Sequence, residues 1–132
     1  MKILVYTPWG NPSADRLSQA LDEVIPGGAA EVHRQVTSFV QRLRMPSSDL
    51  DMLILMPANR QELLAVSVFL SRPPNLRLVL ILPDRDKETI AMAHTLRPRF
   101  VTYANGNYSE LREVLKKMLS DVPSIPSKPA GP

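Results

Sequence analysis

Three short apolar runs, each halted by a proline, constrain this chain more than any other feature. Lys2-Ile-Leu-Val-Tyr6 stops at Thr7-Pro8, Asp51-Met-Leu-Ile-Leu-Met56 at Pro57, and Leu76 to Leu82 at Pro83. Strands without an alternating polar face must be covered on both sides, as interior strands of a parallel sheet are. Helical patterns follow each run. After the first, Asn11-Pro12 supplies a cap and then a first-turn residue with no N–H to leave unpaired. Leu17, Leu21 and Val24 then recur at helical spacing up to Pro26-Gly27-Gly28. After the second, Asn59 stands three before Glu62 in capping-box spacing, opening a helix with Leu63, Val66 and Leu70 that Pro73-Pro74 closes. After the third, Asp84-Arg-Asp86 caps a helix of about ten residues bearing Ile90, Ala91 and His94 ahead of Pro98.

Two further units complete the pattern. Residues 30–36 alternate as an edge strand does, and Thr37 or Ser38 caps a short helix with Phe39, Val40 and Leu43. Phe100-Val-Thr-Tyr103 is a fifth strand. Asn107 then stands three before Glu110 and starts a helix whose stripe is Leu111, Val114, Leu115 and Met118, with Lys116 and Lys117 near its negative end. Five strand–helix units joined by right-handed crossovers predict a flavodoxin-like, doubly wound, five-stranded parallel sheet of order 2-1-3-4-5 with helices on both faces. At 132 residues one such domain is expected over 1–120. The repeat Pro123, Pro126, Pro129, Pro132, with serines between, makes 121–132 an extended tail or linker.

Composition narrows the chemistry. Without cysteine there is no disulfide framework, thiolate metal site or cysteine nucleophile, and a cytoplasmic protein is expected. No apolar run is long enough to span a membrane, and no basic stretch leads into an apolar leader. A net charge of +3 is a modest field, and Arg34, Arg42 and Arg44 lack the interleaved aromatics that stack bases, which reads against nucleic acid.

In such a sheet ligands gather at the carboxyl ends of the strands, so the loops to search are Thr7–Ser13, Pro57–Arg60, Pro83–Asp86 and Ala104–Tyr108. The order of elements, together with Asp51-Met-Leu-Ile-Leu-Met-Pro, Leu80-Ile-Leu-Pro and Glu110-Leu-Arg-Glu-Val-Leu-Lys-Lys-Met-Leu, resembles a bacterial response-regulator receiver domain over residues 2 to 120. The resemblance implies an aspartate ending the third strand that accepts a phosphoryl group. It also implies an acidic pair after the first strand for magnesium, a threonine or serine after the fourth and a lysine after the fifth. Residue by residue, Met56 falls at the acceptor, Pro83 at the hydroxyl position, and Ala104 or Asn105 at the lysine. The first loop has no acid before Asp15, which lies inside the first helix. A thioether cannot form an acyl phosphate, so the expectation is a pseudo-receiver: no enzyme, no cofactor, no metal.

A rival comes from the same first loop. Flavodoxins hold the FMN phosphate in a loop that Thr7-Pro-Trp-Gly-Asn-Pro-Ser matches at Thr7, Gly10 and Asn11, yet Pro12 removes an N–H from the cradle. The bland alternative is a structural turn with Gly10 at an unusual φ. A vestigial pocket for a small ligand would be lined by Thr7, Trp9, Gly10, Asn11, Asn59, Asp84 and Asn105. Trp9 is either an exposed protein anchor or a lid on the core. His33 and His94 lie in different elements without ligand spacing, Asp84, Asp86 and Glu88 read as helix-start charge, and no Gly-x-Ser-x-Gly elbow occurs. The expected work is binding another protein or a second copy through Met92, Arg97, Arg99, Tyr103, Lys116 and Lys117.

Overall fold

The computed structural model describes residues 2–8, 10, 12–25, 27, 29–45, 50–70 and 76–120. Five strands, β1 (Ile3–Tyr6), β2 (Ala30–His33), β3 (Met52–Leu55), β4 (Arg77–Leu82) and β5 (Phe100–Tyr103), alternate with five helices: α1 (Pro12–Val24), α2 (Val36–Leu43), α3 (Arg60–Ser67), α4 (Lys87–Thr95) and α5 (Tyr108–Ser120). All pairings are parallel, in the order β2-β1-β3-β4-β5. Ile3 lies beside Met52, and Leu53 beside Leu78.

The uninterrupted apolar strands have the physical role their pattern implies. Successive side chains alternate between two cores. Ile3, Val5, Met52, Ile54, Val79 and Ile81 face α1 and α5, while Leu4, Leu53, Leu55, Leu78, Leu80 and Leu82 face α2, α3 and α4. Every one of these is fully buried, worth about 1.5–3 kcal/mol per side chain against exposure. At the amino edge, Arg77 Nη1 donates to the Met118 carbonyl at 2.6 Å, tying the start of β4 to the end of α5.

Several boundaries differ from the sequence expectation. β2 ends at His33, not at residue 36, because an edge strand has one partner and only its β1-facing side to satisfy. α2 begins at Val36 with Gln35 at the N-cap and no side-chain cap; the Ser38 hydroxyl instead donates to the Gln35 carbonyl. α3 ends at Ser67, so Leu70 lies beyond it, half-buried. In α4 the buried residues are Thr89 and Ala93, with Ile90 partly buried, whereas Ala91 and His94 are exposed. Asp86 occupies the N-cap of α4 but makes no side-chain cap bond. The readings placed on Trp9, Asn11, Pro26, Gly28, Pro73, Pro74 and the 121–132 tail lie outside the described residues.

The turn from β5 into α5 admits no side chain at Gly106. A Cβ there would sit 2.9 Å from the Tyr103 carbonyl oxygen and 3.1 Å from Thr102 Oγ1. Gly106→Ala is expected to cost about 1–3 kcal/mol in urea unfolding. A loss below a few tenths would show that the turn relaxes freely.

Candidate functional site at the carboxyl edge

The ladder continues one residue past β1 and β3. Thr7 N–H donates to the His33 carbonyl at 3.1 Å, and Met56 N–H donates to the Tyr6 carbonyl at 2.8 Å. This extension keeps Met56 in the sheet, and alternation turns its side chain into the core against α1 and α5, where it is fully buried. Thr7 is 1% exposed, and its hydroxyl donates to the Met56 sulfur at 3.6 Å. A thioether and a hydroxyl thus fill the floor between β1 and β3, and the sulfur is a weak acceptor without nucleophilic oxygen. Pro57, next in the chain, is also buried.

The loops after β4 and β5 are occupied by their own turns. Ala104 N–H donates to the Leu82 carbonyl at 2.8 Å, and the Ala104 carbonyl accepts from the Tyr108 hydroxyl at 2.9 Å. Asn105 is exposed. Asn107 caps α5, its Oδ1 accepting from the N–H groups of Ser109 and Glu110. Pro83 is half-buried and carries no donor at the position it holds. Asp84 Oδ1 accepts from Asp86 N–H at 3.0 Å. The Thr89 hydroxyl first, then that amide and the Arg60 charge, hold the Asp84 carboxyl below its ordinary range despite some burial. Arg60 pairs with Glu88 at 2.7 Å, and the Arg85 guanidinium lies 3.8 Å from the Tyr103 ring centroid.

On the opposite face of the sheet, Tyr6 is 1% exposed and packs on Phe39 at 5.6 Å between ring centroids. Its hydroxyl donates to Glu62 Oε1 at 2.9 Å, and Ala58 N–H donates to the same oxygen at 2.8 Å. Asn59 Oδ1 accepts from Glu62 N–H at 2.9 Å, so Asn59 and Glu62 close the start of α3 while Glu62 also binds β1. Burial, then the hydrogen bond to Glu62 and its charge, push the Tyr6 hydroxyl well above the usual tyrosine range. The sequence singles out neither Tyr6 as a polar group nor Glu62 as its partner; they are 56 residues apart and no local pattern joins them.

Of the residues expected to line a pocket, Thr7 meets Met56, Asn59 is used in the α3 cap and Asp84 in the turn before α4. Gly10 is exposed at φ +72°, the left-handed region glycine tolerates. Among the described residues no three His, Asp or Glu side chains converge as a metal site would require. Of the expected interface residues, Arg97, Arg99, Lys116 and Lys117 are exposed, while Met92 and Tyr103 turn partly into the core.

No family model matches the sequence, and no curated protein matches it. Solved structures do match the fold. A pilus assembly protein, CpaE, from Burkholderia thailandensis superposes with a TM-score of 0.62 at 21% identity, covering 92% of this chain and 100% of that one. A protein described as pilus assembly-related from Burkholderia pseudomallei gives 0.55 at 21%, covering 91% and 90%. The manganese-bound response regulator Rcp1 gives 0.59 at 11%, covering 98% and 100%. At these identities the likeness is one of fold: the chain has the flavodoxin-like, doubly wound sheet of receiver-type proteins.

The Tyr6–Glu62 bond yields a pH signature. A tyrosine whose folded pKa is raised contributes stability that is complete below the unfolded value of about 10 and is lost as pH rises beyond it. Tyr6→Phe is expected to cost about 1 kcal/mol at neutral pH and to flatten the alkaline fall in the urea midpoint. An unchanged alkaline limb would show that Tyr6 ionises freely in the fold.

Proposed function

We propose that this chain is a receiver-like signalling module that accepts no phosphoryl group and works by associating with protein. The observation that carries this reading is Met56, fully buried at the end of β3 with its sulfur against the Thr7 hydroxyl. Phosphoryl transfer to a receiver needs a solvent-facing carboxylate, a hard cation held by further oxygens, and donors for the transferred oxygens. Met56 offers no oxygen. The loop after β1 carries no acid before Asp15, and Pro83 and Ala104 supply neither hydroxyl nor ammonium. With the chemistry removed and the scaffold intact, association is the work left to the surface.

Incubation with acetyl phosphate and magnesium, followed by intact-mass measurement, is expected to leave the mass unchanged; a phospho-adduct overturns the proposal. Met56→Asp is expected not to create an acceptor but to place an unpaired carboxylate in the α1/α5 core, costing about 3–5 kcal/mol in urea unfolding. A Met56→Asp variant of wild-type stability that gains a phosphoryl group would show that the position faces solvent.

A further inference from the structure

Where α1 packs on α5, the surface holds a polar cavity of about 360 Å³, away from the floor between β1 and β3. Arg16 and Gln19, three apart on α1, form one wall; Asn107, Tyr108, Ser109 and Arg112, at the start of α5, form the other. Two of these side chains are guanidinium groups, and among the described residues no carboxylate lines the cavity. Tyr108 brings the two cations together. Its ring is buried, and its hydroxyl is fixed on the Ala104 carbonyl at 2.9 Å. The Arg16 guanidinium lies 4.6 Å from the ring centroid, and Arg112 follows Tyr108 by one helical turn. Contacts within the protein compensate these charges only in part. Arg112 Nη2 reaches Glu23 Oε2 at 3.2 Å, but the Glu23 side chain is 58% exposed, where water weakens an ion pair. Arg112 Nε is buried and meets no acceptor among the described residues. A strap between α5 and α1 needs only Arg112 and Glu23; it gives no reason for a second arginine on the same cavity, which adds like-charge repulsion that a shared anion removes.

We propose that this cavity binds a phosphate group, carried by free phosphate or by a small phosphate monoester. A guanidinium fork matches two phosphate oxygens at once, and two forks with the Ser109 hydroxyl and the Gln19 amide offer donors to several sides of a tetrahedral anion. A monocarboxylate has oxygens for one fork and leaves the other cation as it was. The amides at the start of α5 are not what holds the anion, because Asn107 Oδ1 already accepts from the N–H groups of Ser109 and Glu110. The volume falls in the range of small-molecule sites and exceeds what one phosphate fills, which leaves room for a polar organic group. Binding here is non-covalent, transfers nothing to the chain, and is independent of the reading of the chain as an association module.

The test is a titration of the full, isotope-labelled chain with inorganic phosphate, glycerol 3-phosphate or glycerol at fixed ionic strength, recording backbone amide and arginine Nε–H signals. Both phosphates are expected to give saturable shifts at Ser109 and at the Arg112 Nε–H, and glycerol none. Tighter binding of glycerol 3-phosphate identifies a monoester as the ligand; equal binding identifies the phosphate group alone. Arg16→Gln, at an exposed position that leaves the core untouched, is expected to weaken binding at least tenfold. Arg112→Gln is expected to do the same, and where it also loosens the fold through loss of the Glu23 pair, Arg16→Gln carries the test. Lys117→Gln, exposed elsewhere on α5, is expected to leave binding as it was. Absence of saturation up to about 10 mM phosphate overturns the site. Binding that survives Arg16→Gln, or that falls equally in Lys117→Gln, overturns it too, since either marks a diffuse attraction to a basic surface.

Discussion

A strand that ends inside a two-sided sheet can lift its last residue to the surface or hold it in the core. β3 does the second. The hydrogen bond from Met56 N–H to the Tyr6 carbonyl keeps the chain in the ladder, and the strict alternation of the sheet then sends the Met56 side chain inward. The rest of the carboxyl edge is closed by contacts of its own. Thr7 leans onto the sulfur, Pro57 is buried next in the chain, and the loops after β4 and β5 spend their polar groups on their own turns. Between the ends of β1 and β3 the Met56 sulfur and the Thr7 hydroxyl meet as a packed floor.

α3 joins this floor to the molecule's outer surface. Its first turn is held from three sides: Asn59 caps it, Glu62 reaches Tyr6 on β1, and Arg60 reaches Glu88 at the start of α4. Such anchoring fixes the helix without using its outer face, and its second half presents Leu64, Ala65 and Val68 to solvent. Burial of a hydroxyl–carboxylate pair at one end and exposure of apolar side chains at the other are unusual separately.

The sequence was legible where a residue's environment is set by its neighbours along the chain. β1, β3 and β4 read directly because both faces are buried, and the starts of α3 and α5 read from Asn59 and Asn107. It was least legible at β2 and α2, where an edge strand is half-satisfied and Gln35 caps without a side-chain bond. Asp86 looked like a cap because of its type, while the carboxylate that takes the amide belongs to Asp84. The Tyr6–Glu62 pair joins distant elements and has no local signature. The exposure of Leu64, Val68 and Phe69 likewise has no local signature, because the uncharged run from Leu63 to Leu70 reads equally as residues of a buried face.

The packed floor is tested most directly by titrating beryllofluoride with magnesium, a mimic of a bound phosphoryl group, into the labelled chain while recording amide spectra. The account requires the amides of Thr7, Met56, Asp84 and Ala104 to stay in place at every concentration. Saturable, magnesium-dependent shifts converging on those four residues would mean that the crevice is open and charged, and would contradict it.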